Sequence, residues 1–171
     1  SFLHFFQQRF PQWQTWGITP EPGFAQFARA RYGFNDIHVG GIDDLATWPE
    51  GGFDLITANH VLEHLPEPEK LFLASRRLLK GGGLLFIDVP DAEGGSRGIH
   101  NIHIEHLYHF SQLTMRNFLD RYGFEIKLIQ SDSSTVPWTF HAIASKQSDV
   151  PIHWRPDPVD STAVARAFRR H

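Results

Sequence analysis

Two rhythms of apolar positions run through this chain. Between Phe53 and Pro90 they follow one another without a break, as FDLITANHVLEHLPEPEKLFLASRRLLKGGGLLFIDVP. The run Phe53–Ala58 is apolar and β-prone and stops at Asn59 and His60, which predicts a buried strand with polar residues at its carboxyl end. Pro66 and Pro68 then open a helix whose apolar positions Leu71, Phe72, Leu78 and Leu79 share one face. Lys80 and Gly81–Gly83 are expected to close it, a cation in the last turn and glycines past the end. Leu84–Val89 is almost continuously apolar, the pattern of a parallel strand covered on both faces. The segment therefore predicts one βαβ unit. Ligands of open α/β sheets sit outside the carboxyl ends of the strands, so Asn59, His60 and the loop after Pro90 are expected to border a site.

The same reading extends along the chain. Ser1–Phe10 predicts a helix, Trp13–Thr19 a strand, Phe24–Tyr32 a helix stopped by Gly33, and Ile37–Val39 a short strand followed by GGIDDL. Asp91–His109 is a long polar loop rich in Gly and His. Ser111 is a good N-cap for a helix over Gln112–Tyr122, which Gly123 ends. Phe124–Gln130 and Thr139–Ser145 predict strands, and a Pro-rich stretch leads to a last helix near Ser161–Arg170. Alternating strands and helices mean a mostly parallel sheet with helices on both faces. The two strands in succession near the end predict an antiparallel hairpin at one edge. The domain boundaries expected are 1–146 for the α/β domain and 147–171 for the linker and C-terminal helix. Phe2, Phe5, Phe6, Phe10, Phe24 and Phe27 fall at helical spacing and read as core.

Composition narrows the partners. With 171 residues, 41% hydrophobic and 20% charged, the chain has the size and make-up of one globular domain. A net charge of −3 gives no electrostatic footprint for nucleic acid, so none is expected as a partner. The absence of cysteine excludes disulfides and thiolate metal sites and fits a reducing, cytoplasmic location. No apolar run reaches the ~20 residues that span a bilayer, and no leader is expected ahead of SFLHFFQQRF.

Two clusters carry candidate chemistry. His60, Glu63 and His64 match H-x-x-E-H, a zinc-peptidase pattern that needs both histidines on one helix and a further ligand. Here the pattern straddles a strand end, and Pro66 interrupts the stretch after His64. The expectation is therefore no metal, with Glu63 and His64 starting the next helix; a zinc hydrolase through these three residues is the remote alternative. The second cluster is His100, His103, Glu105, His106 and His109. An imidazole, with an unperturbed pKa near ~6.5, can take a proton from a hydroxyl or carbon acid at neutral pH.

The layout, together with FDLITANHVLEHL, GGGLLFIDVP, HLYHFS and RYGFE, resembles the class I S-adenosylmethionine-dependent methyltransferases. The branch acting on small molecules, sugars and lipids is the nearest, and the likeness runs to about Lys146. The resemblance implies a Rossmann-like, mostly parallel sheet with an antiparallel C-terminal edge strand. It implies S-adenosylmethionine as cofactor and methyl transfer to an oxygen, nitrogen or carbon nucleophile of a small-molecule substrate. By the same resemblance Asp44 accepts from the adenine amine with the Leu45 backbone beside it. Asn59 and His60 lie near the methionine end, the loop 91–109 closes over the substrate, and Glu105 and His106 fall where a catalytic base is placed. The family also begins with a strand and a GxGxG loop. This chain starts where the following helix begins, so the domain is expected to be incomplete at its N-terminus and to bind the cofactor weakly. Where the family carries an acid for the ribose hydroxyls stands Thr19, with Glu21 two residues on; a hydroxyl binds more weakly than a carboxylate. The alternative from a different class is a non-catalytic methyltransferase-like domain with an assembly or regulatory role.

Overall fold

The computed structural model describes residues 2–93, 105–132 and 138–147. The expected linker and C-terminal helix fall, after Gln147, outside the described residues. So do His100 and His103. The chain divides into two compact units, Ser1–Trp48 and Pro49–His171.

The first unit is a small βαβ. Helix α1 (Phe2–Arg9) leads to strand β1 (Gly17–Thr19), helix α2 (Pro22–Tyr32), strand β2 (Ile37–Val39) and a 3-10 turn, Ile42–Thr47. Strands β1 and β2 pair in parallel with Gly17 opposite Ile37. A Cβ on Gly17 would stand 2.6 Å from the terminal methyl of Ile37, which has its present rotamer because residue 17 has no side chain. Pro22 occupies the first turn of α2, and Gly33 closes it in the left-handed conformation at φ 70. The expected strand from Trp13 is shorter than predicted, because the indole of Trp13 packs against Phe6 and Phe10 at 5.3 and 6.2 Å and holds the chain in a turn after α1. The reading of the phenylalanines as core is also corrected. Phe5, Phe24 and Phe27 are exposed, while Ala25, Phe34 and Leu45 are the buried apolar residues among the described side chains of this unit.

The second unit holds strand β3 (Phe53–Asn59), a 3-10 turn at Leu62–His64, helix α3 (Glu69–Leu78), strand β4 (Leu79–Pro90), helix α4 (Gln112–Arg121) and strands β5 (Phe124–Asp132) and β6 (Thr139–Lys146). Its sheet has the order β3-β4-β6-β5. β3 and β4 are parallel, and β6 runs antiparallel to both β4 and β5. The antiparallel hairpin β5–β6 thus forms one edge, with its returning strand hydrogen-bonded to β4. Alternation along β4 buries Leu85, Ile87 and Val89 completely on one face and leaves Leu84, Phe86 and Asp88 partly open on the other. Helices α3 and α4 meet through a stack in which Phe72, fully buried, lies 5.2 Å from Phe118 and 5.4 Å from Tyr122. Burial there pushes the Tyr122 phenol above its usual pKa. The Arg76 guanidinium donates to the carbonyls of Tyr122 and Gly123 at 3.1 and 3.0 Å, tying the end of α4 to α3.

Two local expectations are corrected here. Lys80 and the three glycines do not close α3; they begin β4 in an irregular stretch where Phe53 pairs with Leu79 but Leu55 pairs with Leu84. Gly82 supplies the positive φ of 75 that this extra chain needs. Lys80 instead reaches Asp54, 2.8 Å away on β3. Glu63 and His64 likewise do not start α3, since their 3-10 turn ends before Pro66.

Candidate functional site

The carboxyl end of β3 is built from a backbone that turns sharply. His60 has φ 50, uncommon for a residue with a side chain, and is held there by its N–H, which donates to the Asp88 carbonyl at 2.9 Å. The turn after it drives Glu63 inward until its side chain is 1% exposed. His60 Nδ1 lies 3.2 Å from Glu63 Oε1, and its Nε2 lies 3.6 Å from a carboxylate oxygen of Asp88. Across the sheet, His141 on β6 stands beside the same carboxylate, with Nδ1 3.3 Å from Asp88 Oδ1, although these two atoms are not in hydrogen-bonding geometry. Its other nitrogen is 3.9 Å from Asp132 on β5. Imidazoles and carboxylates therefore alternate along the carboxyl end of the β3–β4 pair, with the buried Glu63 beside His60 and the half-buried Asp88 between His60 and His141.

A strap lies over this end. The N–H groups of Leu107 and Tyr108 donate to the Glu63 carbonyl at 2.8 and 3.3 Å, and the Tyr108 hydroxyl donates to the Pro66 carbonyl at 3.0 Å. The Glu105 carbonyl accepts from His64 Nδ1 at 2.9 Å. These bonds bring the His106 ring 4.9 Å from that of His64, with His109 a further 6.3 Å from His106. The ends of the loop after β4 are clasped as well. Asp91 bridges to Phe110, and Ala92 N–H donates to the Phe110 carbonyl at 2.9 Å. Asp91, buried, accepts from Glu93 N–H at 3.0 Å and from the Ser131 hydroxyl at 2.8 Å. Ser111 caps α4 by accepting from Thr114 N–H, and the Thr114 hydroxyl accepts from Ser111 N–H in return.

The expected site residues divide by unit. In the second, Asn59 pairs with Asp88 in the β3–β4 register, and His60 and His106 both come to Glu63 and its turn. Glu105 has an exposed residue surface and serves the turn through its carbonyl. In the first, Thr19 ends β1 and its hydroxyl accepts from Glu21 N–H at 3.3 Å. Asp44 lies in the turn after β2, exposed, with Oδ2 accepting from Gly41 N–H at 2.7 Å, and Leu45 beside it is buried. Asp88, Asp91 and His141 were not singled out in the sequence. Asp88 was visible as the lone charge in LLFIDVP, a position where an apolar run gives no reason for a carboxylate. The H-x-x-E-H pattern is not assembled as a unit: His60 serves Glu63 and Asp88, and among the described residues the ligand atoms that converge, within 4.8 Å, belong to Glu63, His64 and His106.

Comparisons with known proteins accord with this architecture. A family model described as a methyltransferase domain matches residues 2–129. A ubiquinone biosynthesis O-methyltransferase of Xanthomonas oryzae pv. oryzae is 44% identical over 52 residues, which cover 30% of this chain and 22% of that protein. The chain thus aligns with under a quarter of the length of this curated relative. Among solved structures, a SAM-dependent methyltransferase from Archaeoglobus fulgidus superposes with a TM-score of 0.66 at 15% identity, over 82% of this chain and 80% of that one. The Burkholderia thailandensis 1,6-didemethyltoxoflavin-N1-methyltransferase, solved with 1,6-didemethyltoxoflavin and S-adenosylhomocysteine, superposes with a TM-score of 0.59 at 18% identity, over 77% and 60%. At these identities the structural likeness speaks for the fold.

Proposed function

Because the chain belongs to the class I S-adenosylmethionine-dependent methyltransferase family, we propose that it serves methyl transfer from S-adenosylmethionine to a nucleophile of a small molecule. The observation that carries this reading is the carboxyl end of β3 and β4, where His60, Glu63, Asp88 and the strapped His106 gather at the edge that takes ligands in α/β sheets. The donor set suits the cofactor. Asp44 has a second carboxylate oxygen beyond its bond to Gly41, chemistry that accepts from the adenine amine, with the Leu45 backbone next to it. Thr19 and Glu21 offer a hydroxyl and a carboxylate for the ribose, and Asn59 and His60 offer polar groups for the methionine end. S-adenosylmethionine supplies an electrophilic methyl group, so the chain's work is alignment of the acceptor and removal of its proton.

His106 is the residue proposed to take that proton, with Glu105 holding the strap through its carbonyl. The O-methyltransferase relative favours an oxygen acceptor over nitrogen or carbon. A net charge of −3 disfavours nucleic acid as substrate. No helix among the described residues is long and apolar enough to cross a membrane, and a cytoplasmic location is the one proposed. A second reading, a methyltransferase-like domain without activity, is favoured by Thr19, whose hydroxyl stands where the family has an acid and already accepts from Glu21 N–H. The test uses the complete protein with labelled S-adenosylmethionine and a panel of small hydroxylated acceptors. Transfer that His106→Gln abolishes without changing cofactor affinity supports the enzyme; cofactor binding without transfer to any acceptor supports the second reading.

A further inference from the structure

We propose that Glu63, His64 and His106 form a binding site for a divalent cation of the zinc class, a site that keeps two residues of the H-x-x-E-H pattern and takes His106 from the strap in place of His60. Three observations carry it. One ligand atom from each of the three residues lies within 4.8 Å of the others. Glu63 Oε2 is buried without a hydrogen-bond partner, on a side chain 1% exposed, and a buried carboxylate oxygen left unsatisfied is a standing penalty that a cation removes. The tautomer of His64 is already set, because its Nδ1 donates to the Glu105 carbonyl at 2.9 Å, so Nε2 carries the lone pair. That nitrogen faces Glu63 Oε1 across 3.9 Å, too far for a hydrogen bond.

This is the way metal-binding imidazoles are held, with the ring nitrogen that does not bind donating to a carbonyl. His60 plays the corresponding part for the carboxylate, with Nδ1 3.2 Å from Glu63 Oε1. Two imidazoles and one carboxylate match zinc and its borderline neighbours and not calcium or magnesium, which take oxygen donors. Zinc bonds of about 2.0–2.2 Å put ligand atoms roughly 3.3–3.5 Å apart in a tetrahedron, so the trio has to close by about 1 Å. That closure falls to the His64 and His106 side chains, since the Glu63 side chain is 1% exposed and held inside the turn. His64 is exposed and His106 partly buried, which leaves the remaining coordination positions open on the solvent side.

The test needs no methyl acceptor. The chain, free of any histidine tag and stripped by a chelator, is titrated with Zn²⁺ by calorimetry and with Co²⁺ by visible absorption. One ion per chain is expected, with affinity lowered more than about tenfold in His64→Gln and in His106→Gln and unchanged in His109→Gln. Zinc should raise the unfolding midpoint of the parent and leave that of His106→Gln where it was, a readout that also shows the variant is folded. Absence of stoichiometric binding overturns the proposal, as does binding that survives both substitutions or that requires His109. A ring nitrogen held by the cation cannot take a proton, so this site and the base role of His106 are alternatives: zinc binding that His106→Gln removes while methyl transfer is kept reports a ligand, and methyl transfer lost in that variant of a chain that binds no zinc reports a base.

Discussion

At the amino-terminal end of the β3–β4 pair, Asp54 and Lys80 meet at 2.8 Å with both side chains more than half in solvent. At the carboxyl end of the same two strands Glu63 is 1% exposed, and His60, Asp88 and His141 crowd around the strand termini. Both ends hold acids beside bases, yet the physics differs. An exposed pair gains little over its hydrated partners, typically ~0–1 kcal/mol. A carboxylate taken into the interior loses its hydration and needs hydrogen bonds and counter-charges to stay there. A turn that only had to fold would be served as well by an apolar side chain at position 63. A buried acid with imidazoles around it at one end, and a solvated pair at the other, therefore points to work done at the carboxyl end.

The largest expected effect tests that meaning directly. In the complete protein, His106→Gln should lower turnover by the ~10²–10⁴ that a general base contributes, with the dissociation constant for S-adenosylmethionine kept. Unchanged turnover in a methyl-transfer assay would make the carboxyl end a structural feature only. Next comes the first unit, whose acid after β2 is expected to follow the same rule. Asp44→Ala should weaken cofactor binding by roughly tenfold or more, since a hydrogen bond to a charged group is worth about 1.5–3 kcal/mol; an equal affinity by calorimetry leaves Asp44 as the cap of its turn. A stability measurement then sharpens the contrast between the ends. His60→Ala removes the donor beside Glu63 and should destabilise the fold by about 1–3 kcal/mol in urea titration, whereas no shift would mean that Glu63 does not depend on it. Smallest of all, Lys80→Ala should cost less than ~1 kcal/mol, and the loss should shrink further at high salt. A larger loss at Lys80 than at His60 would invert the comparison.

Much of the second unit was legible in the sequence because its signals are local. The face Leu71, Phe72 and Leu78 is buried as the spacing of α3 required, and Ser111 caps α4 as its residue type predicts. β5 and β6 fall where their β-branched and apolar residues lie. The misreadings come from competition that a local pattern cannot show. Gly81–Gly83 look like a helix stop, but the pairing with Phe53 draws them into β4. Trp13 looks like a strand residue, but Phe6 and Phe10 offer it an aromatic cluster. Phe5 and Phe24 have core spacing and lie exposed. The site was harder still. Asn59 and His60 follow from the rule about strand ends, but the meeting of His64 with Glu105 joins residues 41 apart in sequence. Asp88 and His141 each sit in a strand whose apolar period passes over them, so only the sheet register places them side by side.

The clasp between Asp91 and Phe110 has a consequence for how such a domain can diversify. With Asp91 bridged to Phe110 and Leu107 and Tyr108 bonded to Glu63, the sheet sees the two ends of the connection and not its length. Closing a connection twice as long adds only about 0.6 kcal/mol of entropy when its ends are already held together. A change in the length of the chain that joins these two ends is therefore expected to leave the unfolding midpoint nearly unchanged, because the hydrogen bonds of Asp91, Ala92, Leu107 and Tyr108 hold the ends whatever lies between them.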